Sequence, residues 1–324
     1  MRFYKAGYWL YAGARTALRA TGLVKLVRRR VGVSAARWIT QASANATTPL
    51  RIRGHRMFIS PQDGYASPDM IGDRYEVATT RLFEQVVQPG QTVVDIGAHV
   101  GYYSLLAARR VGPQGRVYAF EPEPKNHVLL LKNIALNGYA NIVPVPLAVS
   151  DRTGVSDLFL GGMDTGFHSL FELHLPHPSD PGKVAVNTTT LDAFFEARGW
   201  PSSVDVIKMD IEGAELHALE GMREFLSRMR QCALIIEFCP WILQTLGVAP
   251  EAFLARLGEL GFQLSVIERR GAIPLESTDR RALIERLLQR DGYTNLLGIR
   301  GAASTALPAA RRPEKVDASG VHKA

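Results

Sequence analysis

The sequence predicts an α/β fold with one doubly wound, mostly parallel sheet of seven strands and helices on both faces. From about residue 90 onward, short apolar runs rich in β-branched residues alternate with segments of helical periodicity, which is typical of consecutive βαβ units. A glycine-containing turn also follows the first of these strands, as in ligand-binding sheets of this class. With 324 residues, of which 46% are apolar, the chain can bury one large core.

The predicted strands and helices alternate in order along the chain. Apolar runs bounded by turn residues predict strands at 92–96, 116–120, 142–147, 204–210, 233–238, 263–267 and 293–299. Apolar residues at helical spacing predict helices at 102–110, 125–136, 191–198, 214–228, 250–260 and 279–289. This alternation is typical of a parallel sheet that helices cover on both faces.

Composition divides the chain into three segments. Residues 1–56 form a basic, aromatic leader, residues 57–300 the main domain, and residues 301–324 a tail without apolar periodicity that we expect to be disordered. Within the main domain, residues 156–190 are rich in Gly, His and Pro, and this insertion is longer than a usual αβ connection. We expect it to form a hairpin with a mobile loop that carries substrate contacts.

The net charge of +7 is concentrated in the leader, because residues 1–50 contain nine basic and no acidic side chains. The leader could lie on a membrane surface, pack as an ordinary helix, or serve as a targeting segment, including a mitochondrial one. No uncharged apolar run is long enough to span a bilayer. Cys232 and Cys239 are too few for a disulfide framework, so we expect a reducing, cytoplasmic location with possible peripheral membrane contact.

Residues 93–104 are predicted to form a buried strand, a glycine turn and the start of a helix. Gly97 permits positive φ and close approach of a ligand, and Gly101 lets the helix begin near it. The helix N-terminus can attract a carboxylate, and Asp95 can accept a hydrogen bond from an ammonium group. The spacing D-x-G-x-x-x-G differs from the dinucleotide fingerprint G-x-G-x-x-G.

Acidic side chains follow two further predicted strands. Glu121 ends the second strand, where it can accept both hydroxyls of a ribose. The alternative for Asp95 and Glu121 is that they are solvated strand ends or helix caps. The fourth strand delivers Asp210, Glu212 and Glu215, although Glu215 can equally complement the dipole of the next helix.

The motifs VVDIGAHVGYYSLLAA, VYAFEPEPKNHVLLLKNIALN, LAVSD, TTTLDAF, IKMDIEGAE and IIEF occur in this order, and together they resemble the FkbM family of methyltransferases over residues 63–299. The resemblance implies a class I methyltransferase-like (Rossmann-like) fold with S-adenosyl-L-methionine as the cofactor. It also implies methyl transfer to a hydroxyl of a sugar, a glycan or a polyketide-type natural product. The cofactor residues that it implies are Asp95, Gly97, His99 and Gly101 in the glycine turn, Glu121 at the ribose, Ala148 and Val149 at the adenine, and Asp210 opposite the sulfonium.

An alcohol acceptor must lose its proton, so a base is expected near the mouth of the sheet. Candidates are His168, Asp210, Glu212 and Glu237. We prefer His168, because an imidazole has a suitable pKa and this one lies in the insertion. It could also be an ordinary surface histidine, and His174 and His177 are weaker candidates.

Other mechanisms and function classes stay open. No metal is part of the preferred mechanism, but Asp210, Glu212 and Glu237 could hold a divalent metal that acidifies a diol. RNA methylation is disfavoured, because the fourth strand lacks an Asn/Asp-Pro-Pro-aromatic element and both cysteines look like core residues. The chain could instead be a non-catalytic module that binds anionic membrane or nucleic acid through its leader.

Overall fold

The computed structural model describes residues 49–59, 66–161, 165–173, 182–290 and 292–301. The predictions about residues 1–48, the tail after residue 301, His174 and His177 lie outside the described residues. Among the helices of these ranges, none combines the length and the apolar character that crossing a bilayer requires.

The strands and helices follow the predicted alternation. The strands are β1 (Leu50–Ile52), β2 (His55–Met57), β3 (Thr92–Ile96), β4 (Arg116–Phe120), β5 (Ile142–Val145), β6 (Ala148–Val149), β7 (Gly154–Phe159), β8 (Lys183–Thr189), β9 (Val206–Met209), β10 (Cys232–Phe238), β11 (Gln263–Glu268), β12 (Gly271–Pro274) and β13 (Thr294–Arg300). The helices are α1 (Ala66–Ile71), α2 (Val77–Val86), α3 (Tyr102–Val111), α4 (Pro124–Asn137), α5 (Leu191–Arg198), α6 (Glu215–Glu220), α7 (Arg223–Arg228), α8 (Pro240–Thr245), α9 (Pro250–Glu259) and α10 (Arg280–Leu288).

The central sheet has eight strands in the order β12-β11-β13-β10-β9-β3-β4-β5. Strands β5, β4, β3, β9 and β10 are parallel, whereas β13 runs antiparallel to both of its neighbours. The strand order reverses beside β3, which has β4 on one side and β9 on the other, and ligands bind at such a switch point. The seven predicted strands are all present, so the doubly wound α/β fold is confirmed. The eighth, β12, is an edge strand that sequence patterns missed.

Alternate residues of each central strand enter two hydrophobic cores, one on each face of the sheet. In β3, Val94 and Ile96 pack on the face that contains Phe120 and Phe194, and Val93 packs on the opposite face, with Leu105 of α3. Both cores are fully covered, which explains the nearly continuous apolar sequence of these strands. The polar side chains of these strands lie near the strand ends, as Asp95, Lys208 and Glu237 do.

The main domain begins earlier than the predicted boundary at residue 57. Strands β1 and β2 form an antiparallel hairpin, and its Ile52 and Met57 are buried in the core beside α3. The backbone of Phe58 exchanges two hydrogen bonds of 2.7 and 2.8 Å with the side-chain amide of Asn133 in α4. Residues from Leu50 onward thus belong to the main domain rather than to the leader.

The helix predicted at 214–228 is divided into α6 and α7 at Gly221. A Cβ on Gly221 would lie 2.0 Å from the carbonyl oxygen of Ser150, so only glycine allows this close approach. The carboxylate of Asp192 then accepts hydrogen bonds from the N–H groups of Glu224 and Phe225 at 3.1 and 2.7 Å. Asp192 therefore caps a new helix N-terminus where periodicity alone predicts a continuous helix.

The predicted insertion contains the expected hairpin. Strands β7 and β8 pair in antiparallel fashion from Gly154–Thr188 to Phe159–Lys183, and β6 adds to β8 in parallel. Together they form a small three-stranded sheet beside the central one. The chain returns from β7 through residues 165–170 to the mouth of the central sheet, where these residues contribute to a cleft.

Candidate functional site

A partly open cleft of about 540 Å³ lies at the carboxyl ends of β3, β4 and β9. Six of the eight predicted cofactor residues line it, and His168 of the insertion lies in its wall. These six are Gly97, His99, Glu121, Ala148, Val149 and Asp210.

Gly97 forms the floor of the cleft between β3 and β9. Its φ is +84°, and a Cβ there would lie 2.0 Å from the carbonyl oxygen of Asp210. The N–H groups of Gly97 and Ala98 both donate to the carbonyl oxygen of Phe120, at 3.0 and 2.9 Å. Gly97 therefore fixes the spacing between the turn and Asp210, and any side chain would force the two apart.

Glu121 is 5% exposed and faces the cleft from the end of β4. One carboxylate oxygen accepts from the N–H of His99 at 2.8 Å, and the other accepts from the N–H of Glu123 at 2.9 Å. Burial raises the pKa of Glu121 to about 7, against the opposing effects of His99 and these hydrogen bonds. Each oxygen retains acceptor capacity, so Glu121 can hold the turn and still accept from ligand hydroxyls.

Asp95 and Gly101, by contrast, stand behind the cleft. Asp95 is 1% exposed and accepts a 2.5 Å hydrogen bond from the hydroxyl of Ser104, at the start of α3. Its other oxygen, Oδ1, is buried without a partner. A Cβ on Gly101 would lie 2.7 Å from a methyl group of Leu130, so this glycine allows α3 to pack closely on α4. Both residues therefore position the turn from behind.

His168 lies in the cleft wall as a neutral imidazole. Its Nδ1 accepts from the N–H of Gly161 at 2.8 Å, which places the ring proton on Nε2. Burial, followed by the charges of His99 and Lys125, lowers the pKa of His168 to about 4. An imidazole in this state is a weak base, and its free nitrogen is already protonated.

A second group of carboxylates adjoins the cleft, and we call Asp210, Glu212 and Glu237 the acidic edge. One oxygen from each of the three lies within 4.8 Å of the others. Asp210 also lines the cleft, so the acidic edge and the cleft share this residue. Glu212 has a left-handed backbone with φ of +52°, which is uncommon for a residue with a side chain and occurs often at functional sites.

Lys208 lies beneath the acidic edge, and sequence patterns did not single it out. Its side chain is 3% exposed, and Nζ lies 2.9 Å from Asp210 and 4.7 Å from the centre of the Tyr103 ring. Burial alone lowers the pKa of Lys208, but Asp210, Glu76 and Asp95 outweigh it and raise the pKa above its ordinary value. The sequence did contain a signal for this residue, namely a lysine within an apolar strand, because a buried lysine needs a buried partner of opposite charge.

Glu76 and Asn295 complete the surroundings of Lys208, and sequence patterns did not single them out either. Glu76 precedes α2 with a left-handed backbone, accepts a 2.6 Å hydrogen bond from Tyr103 and accepts one of 2.9 Å from Asn295. These partners come from widely separated parts of the chain. No local sequence pattern could have joined them.

Comparison with known proteins gives a match to the family model described as methyltransferase FkbM domain over residues 95–264, which is just over half of the chain. The chain is 32% identical over 126 residues to protein-L-isoaspartate O-methyltransferase of Aeropyrum pernix, and the match covers 36% of this chain and 46% of that protein. It is 26% identical over 178 residues to the 2-O-methyltransferase NoeI of Sinorhizobium fredii, covering 49% and 70% of the two chains. It is 24% identical over 149 residues to the hexuronic acid methyltransferase AglP of Haloferax volcanii, covering 46% and 57%.

Proposed function

The chain belongs to the FkbM family of S-adenosylmethionine-dependent methyltransferases, and on that premise we propose that it transfers a methyl group to a hydroxyl of a sugar or glycan. The observation that carries this proposal is the convergence of Gly97, Glu121 and Asp210 around one cleft. These residues come from three neighbouring strand ends at the switch point, where nucleotide-like ligands bind.

The residues of the cleft fit the cofactor. Glu121 offers a buried carboxylate with acceptor capacity for the two ribose hydroxyls. Phe120, Leu147 and Val149 offer apolar surface for the adenine. There is no room for a side chain at Gly97, so the turn presents its backbone to a ligand in the cleft.

Methyl transfer is a displacement in which the acceptor oxygen forms a bond to carbon as the carbon–sulfur bond breaks. When bound, S-adenosylmethionine supplies the electrophilic methyl group. The protein must then place the hydroxyl in line and receive its proton. We assign both tasks to Asp210, because it lines the cleft, whereas Nδ1 of His168 accepts a backbone hydrogen bond and its Nε2 carries the ring proton.

The acceptor class is supported by the names of two relatives. NoeI is a 2-O-methyltransferase and AglP is a hexuronic acid methyltransferase, so oxygen and sugar acids are among the acceptors in similar proteins. A polyketide-type alcohol is the other acceptor class that the sequence predicts. Nucleic acid is a weaker candidate, because the charge outside residues 1–50 is close to neutral.

A transfer assay with methyl-labelled S-adenosylmethionine tests this proposal. We expect label in a methyl ether of a sugar when the protein is given a panel of glycans, uronic acids and macrolide-type alcohols. The variant Glu121→Ala should transfer none. Label found only on nitrogen or carbon would contradict the proposal. Failure of the parent to bind S-adenosylhomocysteine would favour a binding module that uses residues 1–50.

A further inference from the structure

The three carboxylates of the acidic edge have the spacing of a cation site. Asp210 and Glu212 follow β9, and Glu237 lies near the end of the neighbouring strand β10. One oxygen from each lies within 4.8 Å of the other two. Oxygens that share one divalent cation lie roughly 3–4.5 Å apart, given bonds of about 2.1–2.4 Å. Small side-chain rotations are therefore enough to bring all three onto one ion.

Glu237 is a buried carboxylate without a partner. It is 9% exposed, and within the described residues its carboxylate makes no hydrogen bond or ion pair. The carboxyl groups of four residues are among its charged neighbours, and these are Glu212, Asp210, Glu215 and Glu76. Lys208 bonds to Asp210 instead. Glu237 therefore lies among carboxyl groups and has no bonded partner of opposite charge in the described residues, so its oxygens are available to a cation.

A second oxygen beside the acidic edge is also unsatisfied. Asn295 lies directly opposite Glu237 in the antiparallel pair of β13 and β10, so both side chains are on the same face of the sheet. Its amide nitrogen donates to Glu76, whereas its Oδ1 is buried and has no partner. Buried polar atoms are nearly always paired with protein, water or an ion. Unpaired oxygens on adjacent strands thus point to a bound species.

We propose that Asp210, Glu212 and Glu237 bind one divalent cation beside the cofactor cleft. The three oxygen ligands favour a hard cation, Mg²⁺ or Mn²⁺, over Zn²⁺, which prefers nitrogen and sulfur. Asn295, which pairs with Glu237 across the two strands, offers a further unpaired oxygen beside this site.

The position of this cation narrows the substrate class of the proposed function, and this step rests on that proposed function. Asp210 belongs to both the acidic edge and the cleft, so the cation lies at the boundary where the acceptor must approach. A cation there lowers the pKa of an alcohol and can hold two adjacent oxygens of a sugar. The substrate class that this site fits is a vicinal diol or a hydroxy acid, in which two oxygens are close together.

Titration of the full chain with Mn²⁺, followed by the loss of the free-ion electron paramagnetic resonance signal, tests the proposal. We expect one site, and an affinity about tenfold or more weaker in Glu237→Gln. Glu268→Gln removes one negative charge from an exposed position at the end of β11, so its affinity should match that of the parent. Mn²⁺ should also raise the melting temperature of the parent but not that of Glu237→Gln.

Binding of S-adenosylhomocysteine, measured on the same samples, separates the two proposals. It should be unchanged in Glu237→Gln, because this residue does not line the cleft. If Glu237→Gln fails to fold, Glu212→Gln provides the same test. A parent that binds S-adenosylhomocysteine but no Mn²⁺ at millimolar concentration would overturn the cation site but not the proposed function. Shared protons would in that case neutralise the carboxylates of the acidic edge. Unweakened Mn²⁺ binding in a folded variant would overturn the cation site as well.

Discussion

Glu121 joins the two halves of the cleft. Its carboxylate holds the turn after β3 through the N–H of His99 and reaches the cleft from the end of β4. The same oxygens that receive these backbone hydrogen bonds are proposed to receive the ribose hydroxyls. The affinity of the site for its ligand therefore depends on the protonation state of one buried acid.

Because burial raises the pKa of Glu121 to about 7, lowering the pH below that value adds a proton and removes acceptor capacity. We expect the affinity for S-adenosylhomocysteine to fall between pH 8 and pH 6, by up to about tenfold per unit below the pKa. Isothermal titration at several pH values measures this dependence. Glu121→Gln should bind more weakly and lack the inflection, and an identical pH profile in the variant would exclude Glu121 as its source.

The cleft requires a residue without a side chain at position 97. In Gly97→Ala the new Cβ meets the Asp210 carbonyl oxygen and the backbone keeps a positive φ, so we expect a loss of about 2–4 kcal/mol in the free energy of unfolding. Gly112→Ala is the matched control, because Gly112 also has a positive φ, of +68°, but open space around it. Its loss should be about 1–2 kcal/mol. Equal losses in urea denaturation would contradict the close approach.

At the scale of elements, the turn between β9 and α6 carries the acidic edge, and Glu215 holds it in shape. Its two carboxylate oxygens accept hydrogen bonds of 3.0 Å from the N–H groups of Ile211 and Gly213. Burial, partly offset by these bonds, raises the pKa of Glu215 to about 7. These hydrogen bonds support a local structural role for Glu215 in the turn.

Glu215→Ala leaves two backbone donors without partners, so we expect a loss of about 2–4 kcal/mol in the free energy of unfolding. The displaced turn should also weaken S-adenosylhomocysteine binding, since Asp210 lies at its start. Glu196→Ala, at an exposed position of α5, should change stability by no more than about 0.5 kcal/mol. Denaturation curves for the two variants that coincide would show that Glu215 does not brace the turn.

The insertion is the element that closes the cleft. His99 of the glycine turn and Thr165 of the insertion are hydrogen bonded at 2.6 Å, and Ser169 donates to the carbonyl oxygen of Glu212 at 2.7 Å. The insertion thus contacts both the glycine turn and the acidic edge. Five of its residues line the cleft, although the sequence of this segment has little periodicity; they are Leu158, Thr165, Gly166, His168 and Leu170.

For the whole molecule, the sequence predicted the sheet well because each central strand is buried on both faces and stands between helices. It missed β12 and α8, which are short and lack a periodic signal, and it missed the break at Gly221. That break depends on a contact with Ser150, which is distant in the sequence. Contacts of this kind become visible only when the chain is folded.

Part of the candidate site could also be predicted from local sequence patterns. Residues in the glycine turn and at strand ends carry a local signal, and most of them line the cleft. Glu76 and Asn295, in contrast, form a hydrogen bond across 219 positions of sequence. Their role beside Lys208 follows from the strand order, which places β13 next to β10 and β10 next to β9.

The most direct test of the cofactor site is a calorimetric titration of the parent and of Glu121→Ala with S-adenosylhomocysteine. We expect one site per chain in the parent and an affinity reduced by at least about tenfold in the variant. The titration is made at a temperature at which both proteins are folded, because the loss of two backbone hydrogen bonds also lowers the melting temperature of the variant. Equal affinities in the two folded proteins would contradict the assignment of the cleft at β3 and β4 as the cofactor site.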